Sequence, residues 1–334
     1  MFANVRLMTQ IEQPVSPVHR TQLAASGLLP RELRRLVDVG EIRRIHRGWY
    51  VPQSTWKTLY TEQRHHAHLR GVAQAMRSEN AVFSHSSAAV LWGLPLFRWH
   101  PRSVHTTLRH GIHVRSAADV VRHRDALHER DVTEINGVRC TSLARTSIDV
   151  ARLAPLEAAV AALDAAFRRV AGSPGGGQDY DVDRAERFRD DLSRRLVGLK
   201  GARGVCQARW VVGFADGRAQ LPGESVSRLY LDQLGFARPR LQVAVAGPAG
   251  SPYFIDFELD GAWGEFDGIG KYTDPNYLRG RSPAQALEDE KRREDWIRGV
   301  TGRRVVRWTF EHLDSASALS HRLGAFGIHP SRAR

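Results

Sequence analysis

Glu224, Asp256, Glu265 and Asp267 are the residues of this 334-residue chain whose types and spacing point most directly to chemistry. Tyr253-Phe254-Ile255-Asp256-Phe257-Glu258-Leu259 and Ala262-Trp263-Gly264-Glu265-Phe266-Asp267 flank Asp260-Gly261, a dipeptide that strongly favours a two-residue hairpin turn. With those two residues as the loop, Leu259 pairs with Ala262, and counting back sets Asp256 opposite Glu265. Side chains alternate between the faces of a strand. One face therefore carries Ile255, Phe257, Leu259, Ala262 and Phe266 as core, and the other carries Asp256, Glu258, Glu265 and Asp267, with Phe254 and Trp263 at its edges. Like charges directly opposite each other destabilise a hairpin by ~0.2–1 kcal/mol per pair. A divalent cation between Asp256 and Glu265 offsets that repulsion, and hard oxygen ligands suit magnesium or manganese. A hairpin whose acidic face is simply solvated fits the same carboxylates.

Two further residues extend the pattern. Gly223-Glu224-Ser225 opens an amphipathic helix with Val226, Leu229 and Leu234 apolar, so Glu224 can face the acidic surface from a neighbouring element. Lys271 follows the hairpin in a chain with only 4 lysines against 45 arginines. A compact ammonium beside a metal can position or help activate an attacking water, which a guanidinium does poorly. Other motifs do not meet their own requirements. Gly268-Ile269-Gly270-Lys271 lacks the earlier glycine and the following Ser or Thr of a phosphate loop, and no Gly-x-Ser-x-Gly elbow occurs. His65, His66 and His68, and His110 with His113, have no cysteine or acidic partner close in sequence and read as surface residues.

The elements that must position this chemistry belong to a chain long enough for two or three domains. Its 42% hydrophobic and 25% charged residues are those of a globular chain. The longest uncharged run, 80–97, is broken by serines, a histidine and Pro95, so no membrane span is expected, and neither is a secretory leader. Cys140 and Cys206 are the only cysteines, which excludes a disulfide scaffold and a four-cysteine zinc site and fits a reducing cytoplasm.

The net charge of +13 points to a polyanionic partner, although a basic host proteome produces the same balance. The excess sits at the front, where residues 1–110 hold 15 Lys and Arg against 6 Asp and Glu. There the order from His19 to Val51 is helix, Gly27 turn, helix, Gly40 turn and two short strands. Pro30 fits the first turn of the second helix. Leu33, Leu36 and Val37 form its inner stripe, leaving Arg31, Arg34 and Arg35 outside, and Ile42 to Val51 is a hairpin carrying Arg43, Arg44 and Arg47. That is the layout of a winged helix-turn-helix, whose second helix enters the major groove of duplex DNA. A small helical cap with solvated arginines is the competing reading.

The expected architecture is α/β of the α+β kind, with a winged helix over 1–55 and a mixed middle domain over 56–171. A linker over 172–183, built on Gly172-Ser173-Pro174-Gly175-Gly176-Gly177-Gln178-Asp179, then leads to a helical connector over 184–220 and an α/β sheet domain over 221–334.

Residues 27–37, closed by Arg47-Gly48-Trp49-Tyr50-Val51, resemble the N-terminal domain of AbiEi-type antitoxins and regulators. Phe83-Ser84-His85-Ser86-Ser87-Ala88-Ala89, Trp92-Gly93-Leu94-Pro95 and Thr141-Ser142-Leu143-Ala144-Arg145-Thr146-Ser147-Ile148-Asp149 are similar to that group's middle region, with Ser84 and Ser142 placed as helix caps. Glu on a helix, Asp on one strand, Glu on the next and a nearby Lys is the skeleton of the PD-(D/E)xK nucleases. Residues 221 to about 315 resemble its Vsr-like endonucleases.

The resemblance implies a restriction-endonuclease-like sheet and a magnesium- or manganese-dependent DNA endonuclease. In it Asp256 and Glu265 are metal ligands, Glu224 is an auxiliary ligand or base, and Lys271 orients water. One departure stands out, since the position where the superfamily places lysine is Asp267 here. The alternative is a transcriptional regulator or type IV antitoxin, with a toxin partner, whose nuclease-like domain is inactive.

Overall fold

The N-terminal segment turns where its sequence calls for turns. In the computed structural model, which describes residues 15–76, 81–108, 116, 118–173, 179–248, 250–268 and 282–330, β1 (Val18–His19) leads into α1 (Arg20–Ala25). The left-handed Gly27, at φ +92, then reverses the chain into α2 (Pro30–Asp38). Glu32 accepts the Leu29 N–H at 3.0 Å, satisfying a donor that a helix start leaves open. Strands β2 (Ile42–His46) and β3 (Trp49–Pro52) follow as the expected hairpin and form a three-stranded sheet in the order β1-β3-β2.

The chain is a mixed α/β protein with twelve α-helices and three sheets among the described residues. It divides into two compact units: one runs through Ala162 and takes in Asp191–Arg209, and the other is built from Leu163–Asp190 and the chain from Trp210 onward. The glycine-rich stretch falls within the sequence of the second of these, and its positions 174–178 lie outside the described residues. No described helix is long and apolar enough to cross a membrane.

In the first unit, α3 (Gln53–Thr58) and α4 (Thr61–Ala75) precede β4 (Ala81–Phe83), α5 (His85–Leu91), β5 (Val104–Leu108), β6 (Val120–His123), β7 (Val132–Ile135), β8 (Val138–Thr141) and α6 (Leu143–Leu153). The five strands make one sheet in the order β6-β5-β4-β8-β7, with β5 and β6 parallel. Leu69, Val72, Phe83, Ala88, Val104, Val120, Val138 and Cys140 form its core.

His65 and His66 are not surface residues: both are buried, and His65 Nε2 lies 2.9 Å from Ser87 Oγ. Helical spacing places His65 on one stripe with Leu69 and Val72, so packing carries it inward. Burial, reinforced by neighbouring imidazoles, lowers the His65 pKa to about 3, and burial with Arg70 lowers that of His66 to about 4. His68 is half-buried, and His110 and His113 lie outside the described residues. Ser142 caps α6 by accepting the Arg145 N–H, whereas Ser84 precedes α5 without a side-chain cap.

Helices α7 (Leu156–Ala171), α8 (Val182–Val197) and α9 (Val205–Phe214) lead to α10 (Pro222–Gln233). Strands β9 (Arg240–Val245), β10 (Tyr253–Leu259) and β11 (Ala262–Phe266) then run antiparallel; α11 (Pro283–Thr301) brings β12 (Arg304–Trp308) back parallel to β11, and α12 (Ala316–Gly324) follows. The sheet order is β12-β11-β10-β9. The hairpin has the register read from the sequence: Leu259 pairs with Ala262, Glu258 with Trp263 and Phe257 with Gly264, around a left-handed Gly261. Ile255, Phe257, Leu259, Ala262 and Phe266 are all buried.

Helix α10 packs tightly on this sheet. Trp308 Nε1 donates to Ser227 Oγ at 2.7 Å, and a Cβ on Gly223 would lie 2.1 Å from the Phe266 ring. Gly223→Ala is therefore expected to destabilise the protein by ~1–3 kcal/mol through overpacking. Gly213→Ala, in α9 with open space around it, should be neutral or stabilising by up to ~1 kcal/mol. Thermal unfolding of the two variants side by side checks this, and equal melting temperatures would contradict it.

Candidate functional site

Arg31, Arg34 and Arg35 stand exposed on α2, with Arg43, Arg44 and Arg47 exposed on the adjoining hairpin. Spacing of three and four residues sets the α2 arginines on one helix face, opposite the half-buried Leu33, Leu36 and Val37. Arg43 is steadied by the Trp56 ring, 4.9 Å from its guanidinium carbon. The result is a basic surface made from one helix and one hairpin, suited to phosphates.

The second candidate is the carboxylate centre of the other unit. Glu224 sits in the first turn of α10, Asp256 on β10 and Glu265 on β11. Gln242 on β9 donates its side-chain amide to Asp256 Oδ1 at 3.1 Å and to Glu224 Oε2 at 3.3 Å. Gln242 holds φ +50, a left-handed conformation that costs a non-glycine residue energy and recurs at functional sites. Asp256 Oδ2 accepts the Phe266 N–H at 2.9 Å, and Glu224 Oε2 accepts the Gln220 N–H at 2.8 Å. Burial first, and the charge of Asp256 second, hold the Glu224 carboxyl well above the usual carboxylate range.

Glu265 is handled differently. Arg293 Nη1 from α11 lies 2.6 Å from its Oε1, and Arg307 Nη2 from β12 lies 2.7 Å from its Oε2. Arg307 also reaches Glu290, Glu294 and Asp267, the last at 3.4 Å. Burial opposes the charge on both guanidiniums, but the surrounding carboxylates outweigh it and raise both above the ordinary arginine range. Glu258 is likewise paired, with Arg240 at 3.0 Å and Arg303 at 2.7 Å. The repulsion across the hairpin is thus offset by arginines, and the acidic face is not a solvated one.

These contacts bear on a metal. Among the described residues, the carboxylates of Glu224, Asp256 and Glu265 are not among the ligand groups whose atoms converge within 4.8 Å. Arg293 and Arg307 pair with the Glu265 carboxylate, whose buried Oε2 accepts no hydrogen bond, and the trio as folded does not converge as a three-carboxylate magnesium or manganese site. Lys271 lies outside the described residues. Arg293, Arg307 and Gln242 are members of this centre that sequence reasoning missed, Gln242 for a reason of its own. A neutral amide in a short strand carries no charge pattern, and its left-handed backbone is visible only in three dimensions.

The fold and its basic N-terminal surface define a helix-turn-helix type of α/β protein. Residues 16–53 match the family described as transcriptional regulator, AbiEi antitoxin. The chain is also similar to two uncharacterized proteins of Mycobacterium tuberculosis, one from the CDC 1551 / Oshkosh strain and one from a second strain. Each is 30% identical over 158 residues, which is 47% of this chain and 51% of the relative. The chain thus spans about half the length of these curated relatives.

The raised Glu224 pKa fixes a sign. Its folded value lies above the ordinary value of 4.5, so its contribution to stability is fully present below that pH and is lost as pH rises through the folded pKa. Glu224→Gln, which keeps an acceptor for the Gln220 N–H, should therefore raise the melting temperature at pH 8 by roughly 2–4 °C, the effect of about 1 kcal/mol in a domain of this size. At pH 4 it should change little. Thermal unfolding at the two pH values checks this; equal shifts at both would mean that the carboxyl is not held protonated by its surroundings.

Proposed function

We propose that this chain is a DNA-binding transcriptional regulator or antitoxin that docks on duplex DNA through its N-terminal winged helix. The observation that carries this reading is the set of six exposed arginines shared by α2 and its hairpin, within the segment that matches the regulator family. Helix α2 enters the major groove with Arg31, Arg34 and Arg35, while Arg43, Arg44 and Arg47 hold phosphates beside it. Most of the affinity comes from counterion release, and the excess of basic residues in the first third of the chain supports it. A toxin encoded beside it is the protein partner this reading calls for, and a cytoplasmic location is its natural setting.

Arg34→Ala combined with Arg35→Ala should weaken duplex binding and reduce the slope of log affinity against log salt by about 2, close to one unit for each phosphate that is no longer neutralised. Both side chains are exposed, so folding stability should stay within ~0.5 kcal/mol. Fluorescence anisotropy over a salt series measures this, and unchanged affinity and slope would remove α2 from the interface.

A second reading, a magnesium- or manganese-dependent endonuclease, is favoured by one observation: Glu224 and Asp256 share the Gln242 amide on a helix and a strand beside Glu265. The Arg293 and Arg307 ion pairs weigh against it, and they leave no catalytic step to assign to a metal. Incubation of the protein with supercoiled and single-stranded DNA in magnesium, manganese or chelator, beside Glu265→Ala, separates the readings. The regulator reading expects tight, salt-sensitive binding without cutting. Metal-dependent cutting that is absent in the variant would establish the nuclease instead.

A further inference from the structure

We propose that His85, His105 and His123 form a three-nitrogen site for a divalent transition-metal ion of the zinc type. The topology brings them together. Strand β5 pairs with β6 in parallel, with His105 opposite Val121 and Thr107 opposite His123. The two-residue period then puts His105 and His123 on the same face of neighbouring strands. Strand β4 pairs with β5 on the other side through Phe83 and Thr106, and the chain turns after Ser84 so that His85 begins α5.

The rings of His85 and His123 stack at 3.7 Å between centroids, those of His105 and His123 lie 5.1 Å apart, and one nitrogen from each of the three lies within 4.8 Å of the others. His105 Nδ1 and His123 Nε2 are 2.8 Å apart. Tetrahedral zinc with bonds of ~2.0–2.1 Å separates its nitrogens by ~3.3 Å. This pair needs to open by about half an ångström, and His85 needs to turn out of its stack on His123, because a bound ion lies in the plane of each ring that holds it.

Backbone and charge support the site. His85 is held at φ +53, which a non-glycine residue adopts at an energetic cost and which the surrounding fold maintains. Ser84 Oγ lies 2.9 Å from His85 Nδ1 and fixes the ring from behind, which leaves Nε2 for an ion, and Asp149 Oδ2 stands further off at 3.9 Å. Arg145 binds Asp149 through Nε at 3.0 Å and Asp125 through Nη2 at 2.9 Å, fixing both carboxylates near His85. The guanidiniums of Arg145 and Arg152 oppose a positive charge at His85, whereas Asp125 favours one at His123, on the solvent side of the cluster. Imidazole nitrogens favour zinc, nickel or copper over magnesium. With His105 and His123 half-buried, solvent reaches the cluster, and three protein ligands leave one coordination position open.

Two competing readings of these residues differ in geometry. A Ser84–His85–Asp149 relay needs the two partners on opposite ring nitrogens, but Ser84 Oγ at 2.9 Å and Asp149 both face Nδ1. The other histidine cluster, His46 and His68 around Asp119, is explained without a metal: Asp119 Oδ2 lies 2.6 Å and 3.3 Å from the two rings and accepts from both. It serves as the internal control.

The test is calorimetric titration of zinc chloride into the full chain after chelator dialysis, with cobalt(II) absorption reporting a tetrahedral nitrogen environment. Wild type is expected to take up one ion that His105→Ala and His123→Ala weaken more than ~100-fold, beyond the ~10–100-fold typical of losing an outer partner, while His46→Ala leaves it unchanged. His123→Gln, which retains hydrogen bonding, should lose the ion with its circular dichroism and melting temperature intact, separating ligand loss from misfolding. No uptake by wild type, wild-type affinity retained in both His105→Ala and His123→Ala, or loss confined to His46→Ala would overturn the proposal.

Discussion

The carboxylate of Glu265, buried on β11, is the charge around which the C-terminal sheet is organised. An isolated ion in such a place costs several kcal/mol, and the chain meets that cost with Arg293 from α11 and Arg307 from β12. Pairing the charge of this one carboxylate thereby ties the helix that covers the sheet, the strand that closes it and the hairpin at its centre. Glu290, Glu294 and Asp267 complete the network around Arg307. Trp308, one residue beyond Arg307, sits over Gly264 and holds Ser227 of α10. The position of Glu224 follows from the same arrangement, because α10 can approach the sheet only where Gly223 leaves room for Phe266.

The first unit adds a second route to the burial of ionisable groups. Burial lowers the pKa of His105 to about 4 and that of His85 well below the ordinary value, with neighbouring imidazoles adding to the effect. Asp149, fully enclosed, is raised to about 6 by burial even though Arg145 binds it at 3.0 Å and 3.1 Å. Both units thus set guanidiniums against buried carboxylates, Arg145 on Asp149 and Arg195 on Asp131 in the first, and the first also packs neutral imidazoles against one another. The exposed arginines of α2 and its hairpin stand outside both schemes, which leaves them available to phosphates.

Much of the local structure was legible from the sequence because it depends on short-range rules. Gly27, Pro30 and Gly40 punctuate the two N-terminal helices as expected, and Asp260-Gly261 sets the hairpin register that places Asp256 and Glu265 on facing strands. The alternating apolar residues of β10 and β11 are buried as their period requires. The misreadings concerned partners distant in sequence. His65 and His66 looked like surface residues because nothing beside them is a ligand, and Ser87, which meets the buried His65, comes later in the chain.

By itself, the sequence determined where helices and strands begin, which residues share a face and where positive charge concentrates, since period, turn chemistry and composition act over a few residues. Only the tertiary structure decided what meets each charged side chain. Arg293 and Arg307 lie 28 and 42 residues beyond Glu265, and no local pattern distinguishes them from the chain's many other arginines. The same holds for Gln242, whose left-handed backbone joins Glu224 to Asp256. It holds also for His85, His105 and His123, which are brought together by strand pairing between segments far apart in the chain. Coulomb and hydrogen-bond energies depend on distances in space, and those distances exist only once the sheets have formed.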